Sequence, residues 1–406
     1  MPPSPFPASV NLVTPRFSLG ILGFSIFYVA YDAIVGFPPR GQFYVIGRDF
    51  ANMWMGARLA LSGDITTLFD WPAYVALLRK TFWPEFAVHN WSYPPHVLLF
   101  VWPLGLLPYH AALILWDVLG LAAFFGATKL AFRSLPPARR TWLSLATVGA
   151  PVVALNIVLG QVGLYIGALL IAAWILRNDH PVVSGILIGL LTMKPHLGLL
   201  LPLVLLAEHR YKVILSAAIT FIILVVTTSL AFGWSVFPDY LAYVGPAQLH
   251  VLMTYERLDW IMPTPMLMAR TLGLPINYGW VFVGIAAPSA LAAFLYVLWR
   301  RAEDTVKLAA LVTATILILP YAFSYDTALL IMPLVLLMDR MDKPWQQAIL
   351  LSVYMLPALG LAAAISGIPL ATASLVAFVG LLIYDIRRAS KQVYADAVGE
   401  SCPPLA

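Results

Sequence analysis

The sequence predicts an all-α, polytopic membrane protein, and three observations carry that expectation. Of its 406 residues, 61% are hydrophobic and 11% charged, with a mean hydropathy of +0.86, whereas soluble domains are about 25% charged. The apolar residues gather in twelve runs of helical or near-helical length, separated by basic or proline-rich turns. Lysine and arginine are shared unevenly between alternate turns, as expected when one side of a bilayer retains the positive loops. No soluble core buries this much apolar surface, so the solvent for most of the chain is lipid. The net charge of +5 then reflects basic loops and not a nucleic-acid surface.

The elements follow in order. The stretch 1–17 is proline-rich, carries only Arg16, and is read as a cytoplasmic tail. The first apolar run lacks a small-residue cleavage site, which makes it a retained span. Spans are expected near 18–36, 110–132, 141–158, 162–176, 182–193, 197–207, 211–231, 277–299, 305–320, 326–338, 345–363 and 368–386. A further short apolar piece, 95–107, is read as a half-helix that does not cross. Twelve crossings put both termini inside, with one transmembrane domain over 18–388, outer loops at 37–94 and 232–276, and a cytoplasmic tail at 389–406. Sixteen of the 24 Lys and Arg residues then lie inside and seven outside, with Lys194 left in the membrane. If 95–107 crossed, the basic stretch RSLPPARR (133–140) would move outside and the later loops would invert. The single cysteine, Cys402, excludes an intramolecular disulfide.

Lys194 is the most informative residue. It interrupts one apolar run as Lys194-Pro195-His196, and a charge at membrane depth costs about 2.5–3.5 kcal/mol even on lenient scales. Such a lysine either snorkels from a short helix end or faces a polar cavity and meets an anion. The flanking runs are shorter than the roughly 20 residues a hydrocarbon core needs. They read as a helix in, a break, and a helix out, an arrangement tolerated where it lines a cavity. That cavity is expected to open to the outer face.

The other polar interruptions fall on the same face. In the first outer loop, Asp49 and Arg48 precede an amphipathic pattern of Phe50, Met53, Trp54, Ala57 and Leu61, expected to lie along the membrane surface. Asp49 is a helix cap, a positioned carboxylate, or both. The loop ends in HNWSYPPH (89–96), which puts Tyr93 and His96 at the boundary. The turn LGQVG (159–163) adds Gln161, with Asn156 one turn earlier. The last outer turn, PYAFSYD (320–326), adds Tyr321, Ser324, Tyr325 and Asp326, the last also a candidate cap. Loop 232–276 carries Glu256, Arg257 and Asp259 and is either a lid or an interfacial segment.

A lysine, a histidine and a fixed carboxylate in an outward cavity point to a lipid-linked phosphate. Lys194 would neutralise the phosphate, and His196 and Arg48 would assist. Asp49 would take the proton from an attacking hydroxyl, general-base work of about 10²–10⁴ in rate. Gln161, Tyr93, His96, Tyr321, Tyr325 and Asp326 would contact the sugars, and Glu256 with Arg257 would gate the acceptor.

At these residues the chain resembles glycosyltransferase family 87. The order GRDFANMWMGARLALSGD, WSYPPHVLLFVWPLGLLP, LGQVGLYIGALL, GILIGLLTMKPHLGLLLPLVLL and PYAFSYDTALLIMPLVLL carries the resemblance, over roughly 45–340. It implies a GT-C-type fold and an inverting transferase that works on the periplasmic side of a bacterial inner membrane. It also implies a polyprenyl-phosphate sugar donor, mannose foremost, and a glycolipid or envelope-glycan acceptor. The family pattern assigns the catalytic aspartate to Asp49 and a phosphate ligand to Lys194. No cofactor and no metal are expected, since Asp49 stands without an adjacent acid. One departure is visible: many members carry a histidine near the position of Tyr321, and this chain has none there. Membrane lipids are the remaining expected partners, and nucleic acid is not one.

Three other functions fit the sequence less well. A lipid-linked-sugar flippase also uses broken helices and midplane charge, but it often shows internal repeats, and the KPH and GRDF segments have no counterpart in the other half. A non-catalytic envelope scaffold predicts that Asp49→Asn is silent. A channel would need a ring of like charges or a repeated filter, and neither appears.

Overall fold

The computed structural model describes residues 12–35, 46–84, 86, 89–254 and 261–400, with side chains described as far as 390. Glu256, Arg257 and Asp259 lie outside the described residues. Among the described residues the structure is helical throughout, with no strand.

Each of the twelve apolar runs is helical, and most helix bounds fall within a few residues of those expected. Five helices are long and apolar enough to cross a bilayer: Pro15–Val35, Tyr109–Ala131, Tyr211–Phe232, Ile276–Trp299 and Leu370–Ser390. Two bent pairs raise the number to seven, Pro137–Val148 with Pro151–Leu159 at 46° and Pro344–Tyr354 with Leu356–Ser366 at 84°. The chain is therefore a multi-pass membrane protein. The remaining apolar helices are shorter, including Gly163–Leu176, Pro181–Leu191 and Pro195–Ala207. The piece expected as a half-helix is a broken helical run from Pro95 to Leu106.

The exterior has the inverted polarity that lipid requires. In helix Pro15–Val35 the buried residues are Ser18 and Ser25, while Phe24, Ile26, Phe27 and Ile34 face outward. The Ser25 hydroxyl donates to the Gly149 carbonyl at 2.8 Å, a polar contact between helices of the kind that holds membrane bundles together. Small residues do the same between Pro181–Leu191 and Tyr211–Phe232. A Cβ at Gly185 would meet Ser216 at 2.4 Å, and one at Gly189 would meet Thr220 at 2.5 Å.

At the centre lie Asp304–Ile318 and Ala328–Arg340. Every residue from Leu308 to Leu317 and from Ala328 to Val335 is buried, the signature of a helix apolar all round. Buried Thr313 and Thr315 donate to the carbonyls of Ala309 and Leu311, so neither hydroxyl is left unpaired. The turn between these two helices carries the PYAFSYD segment.

The two long loops form a layer over that turn. Helices Phe50–Ser62 and Trp71–Thr81 come from the first, and Val236–Thr254 from the second. They meet through Phe69 against Tyr240 and Tyr243, and through Trp71 against His250. Beyond the second helix, Ser324 N–H donates to Ile261 O at 2.6 Å, and the Thr264 hydroxyl donates to Pro320 O at 3.2 Å. The second loop thus packs directly on the last turn. Several basic residues assigned to the inside meet acids at the opposite ends of Asp304–Ile318 and Ala328–Arg340. There Arg177, Lys307 and Arg210 pair with Glu208, and Arg139 with Asp339.

Candidate active site

The site is built from five segments that the sequence separates widely, around Asp49, Tyr93, Gln161, Lys194 and Tyr325. Gly47 and Gly160, both in the left-handed region at φ 64° and 65°, let two of them touch. A Cβ at Gly160 would come within 2.5 Å of the Phe50 Cβ, so a side chain there meets both strain and collision. Phe50 is buried against Tyr109 and Trp116, and the Trp116 indole donates to Gly160 O at 3.1 Å. Asp49 N–H donates to Leu159 O at 3.1 Å. This stitching brings Gln161 to Asp49.

The Asp49 carboxylate does not cap its helix. The residue is already in the α region, at φ −81° and ψ −22°, with no side-chain bond to the helix N–H groups. A capping residue usually sits in the β region, where its oxygen can reach the second or third helical N–H. Instead Gln161 Nε2 donates to Oδ2 at 2.7 Å, while Arg48 Nε and His89 Nε2 each lie 3.3 Å from Oδ1. Burial by itself would push the carboxyl up. The Arg48 charge, the His89 contact and the Gln161 bond outweigh it and hold Asp49 well below the usual carboxylate range. The carboxylate is 16% exposed and Arg48 is 38% exposed, so this edge of the site reaches solvent.

The second charged centre is Lys194. Helix Pro181–Leu191 stops short of it, and Pro195 holds Lys194 out of the helical region at φ −135° and ψ 75°. Its Nζ lies 2.6 Å from Asp326 Oδ1 and 4.8 Å from the Tyr325 ring centroid. Asp326 is fully buried and its other oxygen accepts from Phe323 N–H at 3.0 Å, so it also fixes the start of the last short helix. The anion that meets Lys194 here is the chain's own. Asn156 anchors the same turn by donating to Tyr325 O at 3.0 Å. Gly163 leaves room for that crossing, since a Cβ there would lie 2.3 Å from Asn156 Oδ1 and 2.7 Å from Tyr325 O.

Three phenols join the centres. Tyr93, Tyr321 and Tyr325 are each pushed up by burial first, and then by both Asp49 and Asp326. They therefore sit within the field of both carboxylates and stay protonated as hydrogen-bond donors. Tyr93 OH points to Gln161 Oε1 at 3.5 Å, while Phe323 stacks on Tyr325 and meets the Tyr321 ring edge-on. His196 follows Lys194 by two residues, in the short helix Pro195–Gly198.

Not every candidate joins this group. His96 packs beside Phe221 and Phe237, with Nε2 3.2 Å from the Thr192 hydroxyl; among the described residues it touches neither charged centre. His89, by contrast, was not singled out in the sequence. Its signal was the HNWSYPPH segment, where it precedes His96 by seven positions, but nothing there shows which histidine turns toward Asp49.

The fold is that of a helical membrane protein, with the Asp49 carboxylate on one turn and a buried Lys194–Asp326 pair between two others. Residues 91–320 match the model of glycosyltransferase family 87, more than half of the chain, and the protein belongs to that family. It is a membrane glycosyltransferase. The match spans Tyr93, Gln161, Lys194 and His196, while Asp49 precedes it and Asp326 follows it. No curated protein and no solved structure matched the chain.

Proposed function

We propose that the enzyme is an inverting, GT-C-type transferase that moves a sugar, mannose foremost, from a polyprenyl-phosphate donor to a glycolipid or envelope-glycan acceptor. The proposed topology has twelve crossings, with both termini in the cytoplasm of a bacterial cell and the site on the periplasmic side. The observation that carries the reading is a short chain of contacts between the two centres: Gln161 donates to Asp49 and, through its N–H, to Asn156 O, Asn156 donates to Tyr325 O, and the Lys194 ammonium lies over the Tyr325 ring.

In this reading the donor phosphate joins Asp326 at Lys194, so that the ammonium bridges two anions and Asp326 keeps its Phe323 N–H bond. The acceptor hydroxyl attacks the anomeric carbon while its proton passes to Asp49. The bond from that carbon to the phosphate oxygen breaks, and polyprenyl phosphate leaves with the electron pair. A carboxylate held so far below its ordinary range is a weak base. Donor binding restores its strength if Arg48, the most exposed of its partners, swings to the phosphate. Tyr93, Tyr321 and Tyr325 donate to sugar hydroxyls. The 261–267 segment, seated on the last turn, must part from it to admit a lipid-linked sugar. No metal or other cofactor is invoked.

Purified full-length protein given polyprenyl-phosphate-mannose and a glycolipid acceptor is expected to release polyprenyl phosphate. No turnover with any lipid-phosphate sugar would refute the donor class.

A further inference from the structure

A cavity of about 870 Å³ opens at the other end of the same helices. Helix Asp304–Ile318 connects the two places, since its first residues adjoin the cavity and its last lead into the Ser324 turn. Its 15 residues at 1.5 Å each put about 22 Å between them, so the cavity is separate from the Asp49 site.

The lining holds Arg300, Arg301, Arg340 and Arg388 against Glu303, Asp342 and Asp385. Arg340 is committed, bridging Glu303 and Asp385, and Arg300 donates to the Ser390 hydroxyl. Among the described residues, Arg300, Arg301 and Arg388 have no acidic partner, and Asp342 alone of the three acids has no basic one. The free charge facing the space is thus positive. Arg301 is also held in the left-handed region at φ 48°, at a helix end where glycine is the ordinary residue. Gln346, 1% exposed and part of the lining, has a side-chain oxygen with no hydrogen-bond partner. A buried acceptor on a cavity wall is satisfied by a donor brought into the cavity. Next in the chain to lining residues Arg300, Gln346 and Asp385, Trp299 is 72% exposed, and Trp345 and Tyr384, which meet edge-on, are also exposed. Exposed tryptophan and tyrosine mark the level where a bilayer meets water.

We propose that this cavity holds the headgroup of an anionic glycerophospholipid, its phosphate taken by Arg301 and Arg388 and a headgroup hydroxyl donated to Gln346. Basic pockets between spans at the membrane surface are suited to such headgroups. The ligand chemistry is a phosphate diester that also carries a hydroxyl.

The test uses the full-length protein, delipidated in detergent and examined by native mass spectrometry. Added lipids are phosphatidylglycerol, phosphatidic acid and phosphatidylcholine with the same acyl chains. Phosphatidylglycerol is expected to stay bound where phosphatidylcholine is lost. R301G/R388A should weaken its retention roughly tenfold or more, since each basic group near an anionic lipid counts for about fivefold. Arg301→Gly removes the guanidinium while relieving the backbone, so the fold survives. Q346L should reduce phosphatidylglycerol to the level of phosphatidic acid, which lacks the hydroxyl. R133A, on an exposed ion pair elsewhere at that end, should change nothing. Glycerophosphoglycerol, the same diester headgroup without acyl chains, is added in a parallel arm. If it displaces the lipid from the parent protein but not from R301G/R388A, the headgroup chemistry holds and the source is a soluble phosphate. Equal retention of phosphatidylcholine, or full retention of phosphatidylglycerol by R301G/R388A, overturns the proposal.

Discussion

Asp49 and Lys194 meet different physical problems, and their variants should fail differently. Asp49→Asn keeps the shape and removes the charge, so transfer is expected to fall by about 10²–10⁴ with the thermal midpoint nearly unchanged. Lys194 sits in a buried ion pair, and removing one member of such a pair costs about 3–5 kcal/mol because the other charge is stranded. Lys194→Ala should therefore lose stability as well as activity. Lys194→Met with Asp326→Asn removes both charges; unfolding by denaturant should show most of the stability restored while transfer stays absent. Restored transfer in that double variant would remove Lys194 from phosphate binding. The pH dependence follows from the direction at Asp49. Its folded-state value is depressed, so its contribution to stability is full above the unfolded carboxylate value of about 3.9 and is lost as pH falls through the folded value. The acid limb of kcat/KM, which reports the free enzyme, should lie below about pH 4. A limb near about 6.5 would point to a histidine instead.

At the scale of elements, the site depends on turns whose glycines permit close crossings. Gly163→Ala should push Asn156 off the Tyr325 carbonyl and cost about 1–3 kcal/mol, the usual range for overpacking. The measurement is a thermal shift alongside donor affinity, and an unchanged protein would mean that this crossing does not anchor the last turn. The sequence made the helices and the break at Lys194-Pro195-His196 legible, because apolar runs and proline act locally. Pairings at long range were not legible. Lys194 looked like a cation awaiting a ligand because its partner Asp326 is 132 residues away. Asp49 looked like a cap because a helix follows it. That its carboxylate turns to Gln161, 112 residues on, depends on two left-handed glycines with no mark of their own.

For the whole molecule, the twelve apolar runs all appear as helices, yet only five to seven are long enough to cross by themselves. The short ones include the central pair, Asp304–Ile318 and Ala328–Arg340, whose surroundings are protein and not lipid. Hydropathy records that a segment is apolar, and neighbours decide whether it must match a bilayer's thickness. The separation of the two ends is open to a direct check. In a Cys402→Ser background, cysteines placed at exposed Asp64 and Asp179 should react with an impermeant maleimide from opposite sides of the membrane. Labelling of both from one side would break the proposed topology.

The central claim is that an ionised Asp49 and the Lys194 ammonium serve one lipid-phosphate sugar. The most direct test compares donor binding and single-turnover release of polyprenyl phosphate in Asp49→Asn and in the parent enzyme. The account predicts that the variant still binds polyprenyl-phosphate-mannose and fails to cleave it. Undiminished release from Asp49→Asn would contradict it.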